Sequence, residues 1–255
     1  MLLPPSAPAD WADRFFDDGF AETFSMLGKY DSTEQNLRDI VALLALEPGA
    51  RVLDVPCGSG RYAALLSALG YCVTGIDSSP TQIAHARRRC PALKLLQADM
   101  RQPPPGPFEA VLNLWTSFGY LATAGDDQDA LAAWRRSLAP GGTLLMELTT
   151  LERAEHENRC GDALTNTKRL VYRGVTEDAW YDWQSQVAHV RYSRSGWSRV
   201  CRTQMYSRPQ LQVALHRAGF DRVTFLGDFC GGPVAPANRT VVLASTTTNG
   251  SNFRA

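Results

Sequence analysis

The chain has 255 residues, of which 44% are hydrophobic and 20% charged. This suits one large domain carrying an insertion, and the composition excludes disordered, collagen-like and coiled-coil classes. Lysine plus arginine and aspartate plus glutamate both number 26, so the formal charge is zero and no whole-molecule grip on nucleic acid or an anionic membrane is expected.

No apolar run reaches the roughly 18–20 residues of a membrane span, and the opening MLLPPS lacks the cationic-then-apolar order of a secretory signal. Cys57, Cys72, Cys90, Cys160, Cys201 and Cys230 have neither Cys-x-x-Cys spacing nor a metal-ligand rhythm. Reduced thiols, no metal and a cytoplasmic location are the expectation.

The first ten residues, rich in Pro and Ala, are expected to be loose. Trp11 to Tyr30 is dense in Phe, Trp and Met and is expected to form an amphipathic helix over a core or a pocket. Asp31-Ser32-Thr33 begins a helix, with Ser32 and Gln35 spaced as a capping box and Leu37, Ile40, Val41 and Leu44 on one face. Short apolar runs then alternate with amphipathic stretches. Strands are expected at Arg51–Val55, Cys72–Ile76, Leu93–Gln97, Phe108–Leu114 and Thr143–Leu148. Helices are expected at Arg61–Leu69, Pro80–Arg89 and Asp127–Leu138, with a turn at Pro140-Gly141-Gly142. Such alternation with continuous apolar strands predicts a parallel sheet covered on both faces.

The pattern changes after Thr150. Gln184–Tyr192 and Trp197–Met205 flank the turn signal SRSG, predicting an antiparallel hairpin, or a three-stranded piece with Leu170–Arg173. A helix at Pro209–Ala218 and strands at Arg222–Leu226 and Thr240–Ala244 follow, then a polar tail expected to be flexible. The resulting division is a helical lid (1–48), a ligand-binding α/β domain (49–150 and 207–246), an inserted antiparallel β cap (151–206) and a tail (247–255).

The informative stretch is RVLDVPCGSGRYA, a buried strand running through two glycines into a helix. Glycine lets the backbone approach a ligand closely, and the helix N-terminus supplies N–H donors. Gly58-x-Gly60-x-x-Ala63 also fits a dinucleotide fingerprint, and Asp77 ends the next strand where a ribose-binding acid belongs. Asp54 separates the two readings. A carboxylate ahead of the glycines repels a pyrophosphate and attracts a cationic amino-acid moiety. Asp99, after the third strand, can accept from an adenine amine.

With its segments DVPCGSGR, VTGIDSSP, QADMR, NLWTSFGYL and APGGTLLMEL, the sequence resembles the class I S-adenosylmethionine-dependent methyltransferases of the bacterial small-molecule type. The resemblance runs from about Phe15 to about Ser245. It implies a Rossmann-like, seven-stranded, mostly parallel sheet with helices on both faces and a terminal antiparallel strand, the inserted β segment acting as a substrate cap. It also implies the cofactor S-adenosylmethionine, with S-adenosylhomocysteine as product. By the same resemblance Asp54, Gly58 and Gly60 hold the methionine end, and Asp77 takes the ribose hydroxyls. Ser78, Asp99 and Met100 border the adenine, and Leu114 contacts the methionine side. Pro56 occurs in this subgroup and removes one backbone donor.

The place where nucleic-acid amino-methylating enzymes carry an Asn/Asp-Pro-Pro-aromatic motif holds Asn113-Leu114-Trp115-Thr116, which weakens a nucleobase as acceptor. Trp115, Phe118 and Tyr120 are expected at the pocket mouth, with Tyr181 and Tyr206 orienting the acceptor. Aromatic walls suit a sulfonium or an ammonium by cation–π attraction. Typical relatives carry Arg two residues before Tyr206, where this chain has Gln204.

Positioning alone can accelerate methyl transfer, so no catalytic residue is required. Glu147 and His189, with His156 beside them, are the candidates if a base is used, whereas His85 and His216 are expected to face away. Residues 168–208 carry a local charge of +5 among Trp and Tyr, suiting a solvated hairpin face, an anionic substrate or RNA.

The expected protein is therefore a cytoplasmic methyltransferase, monomer or homodimer, acting on N or O of a small metabolite in specialised biosynthesis. A non-methylating cyclisation or elimination on the same fold, a nicotinamide-dependent dehydrogenase and a non-catalytic binding module are the alternatives.

Overall fold

The structure is a computed structural model, and it describes residue 7 and residues 10–247. The expected loose N-terminus falls mainly outside these residues, and so does the tail beyond 247.

The aromatic-rich N-terminal stretch forms two short helices, α1 (Trp11–Phe15) and α2 (Asp18–Met26). Asp17 interrupts them and caps α2, its side chain accepting from the Phe20 N–H at 2.9 Å. α3 (Thr33–Leu44) begins where expected, but Ser32 makes no side-chain cap. The expected capping box is absent because Gln35 bonds Asp39 and Arg38 instead, within the helix.

β1 (Arg51–Asp54), α4 (Arg61–Ala68), β2 (Cys72–Asp77), α5 (Pro80–Arg89), β3 (Lys94–Gln97), β4 (Phe108–Asn113), α6 (Ala124–Ser137) and β5 (Leu138–Leu148) follow in alternation. Pro140-Gly141-Gly142 is an irregularity inside β5 rather than a turn before it, and the β4–β5 register shifts between Phe108 and Ala110. α7 (Leu151–Glu157) and a two-residue hairpin, β6 (Arg159–Cys160) with β7 (Ala163–Leu164), lead into the insertion. The insertion is a four-stranded antiparallel sheet of β8 (Thr167–Tyr172), β9 (Val175–Asp182), β10 (Val187–Arg194) and β11 (Trp197–Gln204). It thus exceeds the expected hairpin or three-stranded piece by one strand, β9, and is preceded by an unexpected helix. α8 (Arg208–Arg217), β12 (Arg222–Leu226) and β13 (Thr240–Ser245) complete the chain.

The main sheet has seven strands in the order β12-β13-β5-β4-β1-β2-β3. β13 alone runs antiparallel, pairing that way with both β5 and β12. One sheet face buries Leu53, Ile76, Val111 and Met146 with Trp134 of α6 and Leu211 of α8. The other buries Val52, Val73, Ala110 and Leu112 with Ile40 of α3 and Leu66 of α4. Both faces are dry, as a parallel sheet requires, and the open ground lies at the C-terminal strand ends. Above those ends Trp11, Phe15 and Phe24 pack against Cys201, Val190 and Tyr192 of the β insertion, so the N-terminal helices and the insertion form one roof.

Candidate active site

A cavity of about 400 Å³ lies between the strand ends and this roof. β1 delivers Asp54 to its floor, and the loop to α4 turns through Gly58 and Gly60, both at positive φ. Gly58 donates its N–H to Asp77 at 2.9 Å, and Ser79 donates to the other Asp77 oxygen at 2.8 Å. One carboxylate thus ties the first loop to the second. Gly60 itself does not line the cavity. It needs glycine because φ is +71° and an added Cβ would meet Ala86 of α5 at 3.0 Å.

Burial governs the acids here. Asp54 is pushed up to about 7, mainly by burial, with Arg61 opposing and Asp77 adding to the rise. Asp77 is pushed up to about 6 by burial against its two N–H donors. One Asp54 oxygen is buried with no hydrogen-bond partner among the described residues. Arg61, absent from the expected site, stands beside it. Its guanidinium lies 4.2 Å from the Tyr30 ring centre and 4.6 Å from that of Trp115, donates to Thr33 Oγ1 at 2.6 Å and forms no ion pair among the described residues. Burial lowers its pKa.

Of the expected cofactor residues, Asp54, Pro56, Gly58, Asp77, Ser78, Met100 and Leu114 line the cavity. Asp99 does not: Arg101 engages its carboxylate through the backbone N–H at 2.8 Å and through Nη2 at 2.6 Å. Of the expected substrate residues, Trp115, Tyr120 and Tyr181 line the cavity, the last stacked on Trp183 with centres 4.9 Å apart. Phe118 and Tyr206 are corrections. Phe118 is 1% exposed and packs edge-on to Trp134 in the core. Tyr206 covers Phe118 and donates to Asp127 at 2.7 Å, away from the cavity.

Both candidate bases are corrections too. His189 alternates with Ala188 and Val190, which line the cavity, so strand periodicity turns its ring outward. Glu147 lies behind the wall, ion-paired with Arg239, and accepts the Trp115 N–H at 2.9 Å. His156 is exposed on α7. Among the described residues no three His, Cys, Asp or Glu gather to hold a metal.

Trp115 and Thr116 both have positive φ, 67° and 56°, which is uncommon for such residues and costly for a β-branched one. Hydrogen bonds hold this turn. The Thr116 N–H donates to the Glu147 carbonyl at 2.9 Å, and Thr116 Oγ1 accepts from Thr149 N–H at 3.0 Å and from Arg239. Gly119 closes the loop onto the insertion. Its carbonyl accepts from Gln204 N–H at 2.8 Å, and a Cβ there would stand 2.2 Å from the Gln204 carbonyl. Gln204 spends its amide on the Ser185 and Gln186 carbonyls.

The basic insertion is largely neutralised. Arg169 pairs with Asp178, Arg194 with Glu22, Arg199 with Asp17 and Lys168 with Glu157. The N-terminal helices supply two of those acids, which residues 168–208 alone could not reveal.

The strand order, the Gly-rich first loop and the acid ending β2 define a Rossmann-like protein with a nucleoside-sized cradle at its switch point. Residues 52–142 match the family described as a methyltransferase domain. That domain match supports the class I S-adenosylmethionine-dependent methyltransferase family for this chain.

It is 32% identical over 119 residues to dTDP-3-amino-3,4,6-trideoxy-alpha-D-glucopyranose N,N-dimethyltransferase of Streptomyces venezuelae, a match covering 46% of this chain and 50% of that enzyme. The chain thus spans about half the length of that relative. It is 29% identical to the glycine/sarcosine N-methyltransferase of Parasynechococcus marenigrum over 86% of this chain and 80% of that enzyme. Among solved structures, an amino pentose methyltransferase of Micromonospora echinaspora, bound to S-adenosylmethionine and involved in calicheamicin biosynthesis, superposes with a TM-score of 0.67. It is 26% identical, over 90% of this chain and 97% of that one. Among the described residues no helix is long and apolar enough to cross a membrane.

Proposed function

We propose that this protein transfers a methyl group from S-adenosylmethionine to an amine nitrogen of a small metabolite in a biosynthetic pathway. The observation that carries this reading is the set of three unlike groups at the base of one cavity. Asp77 offers a carboxylate to a ribose diol, the unpartnered Asp54 oxygen attracts an ammonium, and the unpaired Arg61 guanidinium attracts a carboxylate. Adenosine and a zwitterionic amino acid, joined through sulfur, satisfy all three. Ser78 and Met100 would border the adenine and Leu114 the methionine chain.

When bound, S-adenosylmethionine supplies an electrophilic methyl on a sulfonium. The chain's own task is to seat the acceptor amine, and the aromatic chamber beneath the roof does so by shape and exclusion of water. The lid role of residues 1–48 and the cap role of 151–206 belong to this proposal. The amine preference draws on the N-methylating relatives. The ion-paired insertion favours a small acceptor over RNA, and six free cysteines suit a cytoplasmic setting.

Calorimetry with S-adenosylmethionine and S-adenosylhomocysteine tests the reading. Both are expected to bind, and Arg61→Met is expected to weaken both by roughly 10- to 100-fold, the loss of a charge-assisted contact of about 1.5–3 kcal/mol. Formation of S-adenosylhomocysteine with an amine acceptor completes the test. A product formed at the same rate without the sulfonium would instead establish the non-methylating chemistry.

A further inference from the structure

We propose that Glu177 is the residue by which the chamber recognises a protonated amine on the acceptor. The assignment rests on the reading above, because it takes the chamber as the acceptor site.

Glu177 lies on β9 and lines the cavity with Tyr181, four residues on along the same strand face. Tyr192 stands opposite it in the β9–β10 register, packed on Phe24 with ring centres 5.0 Å apart. Phe20 and Tyr120 also line this cavity. Around Glu177 the wall is thus mainly aromatic, with Lys29, Arg153 and Glu157 the other charged side chains lining this part of the cavity.

The charge pattern of the insertion singles this carboxylate out. Asp178, its neighbour on the opposite face of β9, is clasped by Arg169 through two nitrogens, the longer contact at 3.0 Å. Glu157, also at the cavity wall, pairs with Arg153 at 2.7 Å and Lys168 at 3.4 Å. Glu147 pairs with Arg239 behind the wall. Asp54 and Asp77 belong to the cofactor loops. Among the described residues Glu177 makes no ion pair, although the insertion is rich in arginine. Burial raises its pKa; Lys29 and Lys168 oppose this from beyond ion-pair reach, Glu157 adds to it, and a hydrogen bond from Tyr192 lowers it.

A half-buried carboxylate with no cation paired to it is partly desolvated, so a ligand that supplies a cation is favoured. Aromatic faces around it add cation–π attraction for the same charge. A carboxylate or phosphate ligand would meet repulsion. A hydroxyl would donate one hydrogen bond to the carboxylate but bring no charge to offset it. The chemistry that fits is an ammonium on a compact, partly apolar body.

Benzylamine, benzyl alcohol and benzoate serve as cationic, neutral and anionic probes of one shape. Each is titrated by tryptophan fluorescence and ligand-observed NMR into the full-length protein, alone and saturated with S-adenosylhomocysteine. The expected result is a preference of at least tenfold for benzylamine over both analogues. Glu177→Gln is expected to abolish that preference with the S-adenosylhomocysteine affinity unchanged, and Glu177→Asp, which keeps the charge, to retain part of it. Persistence of the preference in Glu177→Gln, or a wild-type chamber that favours the alcohol or the benzoate, overturns the assignment. Failure of S-adenosylhomocysteine to bind would overturn the cofactor reading instead, while the probe ranking on the free protein still decides the role of Glu177.

Discussion

Asp77→Asn is expected to weaken S-adenosylhomocysteine binding about 100-fold or more. In the wild type one Asp77 oxygen accepts from Gly58 and the other from Ser79. The remaining lone pairs face the cavity, where a ribose diol would donate two hydrogen bonds to a charged acceptor, each worth about 1.5–3 kcal/mol. Asparagine removes the charge and replaces one oxygen by a donor. That donor must face one of the two backbone N–H groups, so either the Gly58 tie or the Ser79 tie is lost whichever way the amide turns. Calorimetry on both proteins, with thermal unfolding as a check on the fold, reads the result. Binding of the asparagine variant within about threefold of wild type would remove Asp77 from the cradle.

The same buried acids set a pH dependence. Asp54 rises from 3.8 to about 7 and Asp77 from 3.8 to about 6, both mainly through burial. Asp127, beneath Tyr206, also rises to about 6. A carboxyl whose folded pKa is raised favours the folded state fully below its unfolded value, near pH 4. That contribution is lost as pH climbs through the folded value. At about 1.4 kcal/mol per unit, the two cradle acids each make the ligand-free protein a few kcal/mol less stable above pH 7 than near pH 4. Its melting temperature is therefore expected to fall between pH 6 and pH 8.

Acids lowered by arginine partners, such as Asp99 and Glu109, lose their contribution only below about pH 4, outside this window. His189, with its pKa lowered by burial and by Arg202, runs the other way as one half-exposed group against three buried ones. Scanning calorimetry at the two pH values is the measurement, and a melting temperature that rises toward pH 8 would contradict it. A bound sulfonium and ammonium favour the charged acids, so cofactor affinity should weaken as pH drops through this range.

Much of this cradle can be read from the sequence because it is contiguous. A strand, a glycine loop and a helix lie within residues 51–68, and the next strand ends on Asp77 only nine residues later. Local spacing therefore fixes which side chains meet. α5 and β12 also fall on their expected residues, since Pro80 and Ser79 punctuate the first and a run of alternating character the second.

β9 escaped notice because VTEDAWYD carries three acids in eight residues, which suits neither an apolar strand nor a regular alternation. α7 spans only seven residues, too few for periodicity to speak. The chamber residues were harder still. Arg239 and Tyr30 reach Trp115 from opposite ends of the chain, and Glu177 enters through a strand whose inward face depends on how the insertion docks. That same unknown phase misplaced His189. Phe118 and Tyr206 were misplaced for another reason: two left-handed residues in succession, Trp115 and Thr116, swing the chain so that Phe118 points into the core. Nothing in the residue types Trp-Thr announces such a turn.

That turn supplies the second large effect. Glu147→Ala is expected to lower methyl transfer about 100-fold, and Glu147→Gln to leave most of it in place. Holding two non-glycine residues in the left-handed region costs about 1–3 kcal/mol each, so surrounding bonds must over-determine the geometry. Glu147 provides two of them, through its carbonyl to Thr116 and its side chain to Trp115, and its carboxylate also anchors Arg239, which reaches Thr116 Oγ1. Glutamine keeps an acceptor for the Trp115 N–H and a neutral acceptor for Arg239, so the bonds that hold the turn survive although the charge is lost. Alanine strips the acceptor and leaves Arg239 without its partner, so the turn relaxes and Trp115 leaves the chamber wall.

A general base at Glu147 would give a different signature, since glutamine and alanine would then be equally inactive. The discriminating measurement is kcat and KM for both variants with an amine acceptor, together with the pH profile of the glutamine protein. A positioning role keeps the wild-type pH profile in Glu147→Gln and raises KM in Glu147→Ala. Loss of the acid limb in Glu147→Gln, with kcat collapsing alike in both variants, would return Glu147 to the chemistry itself.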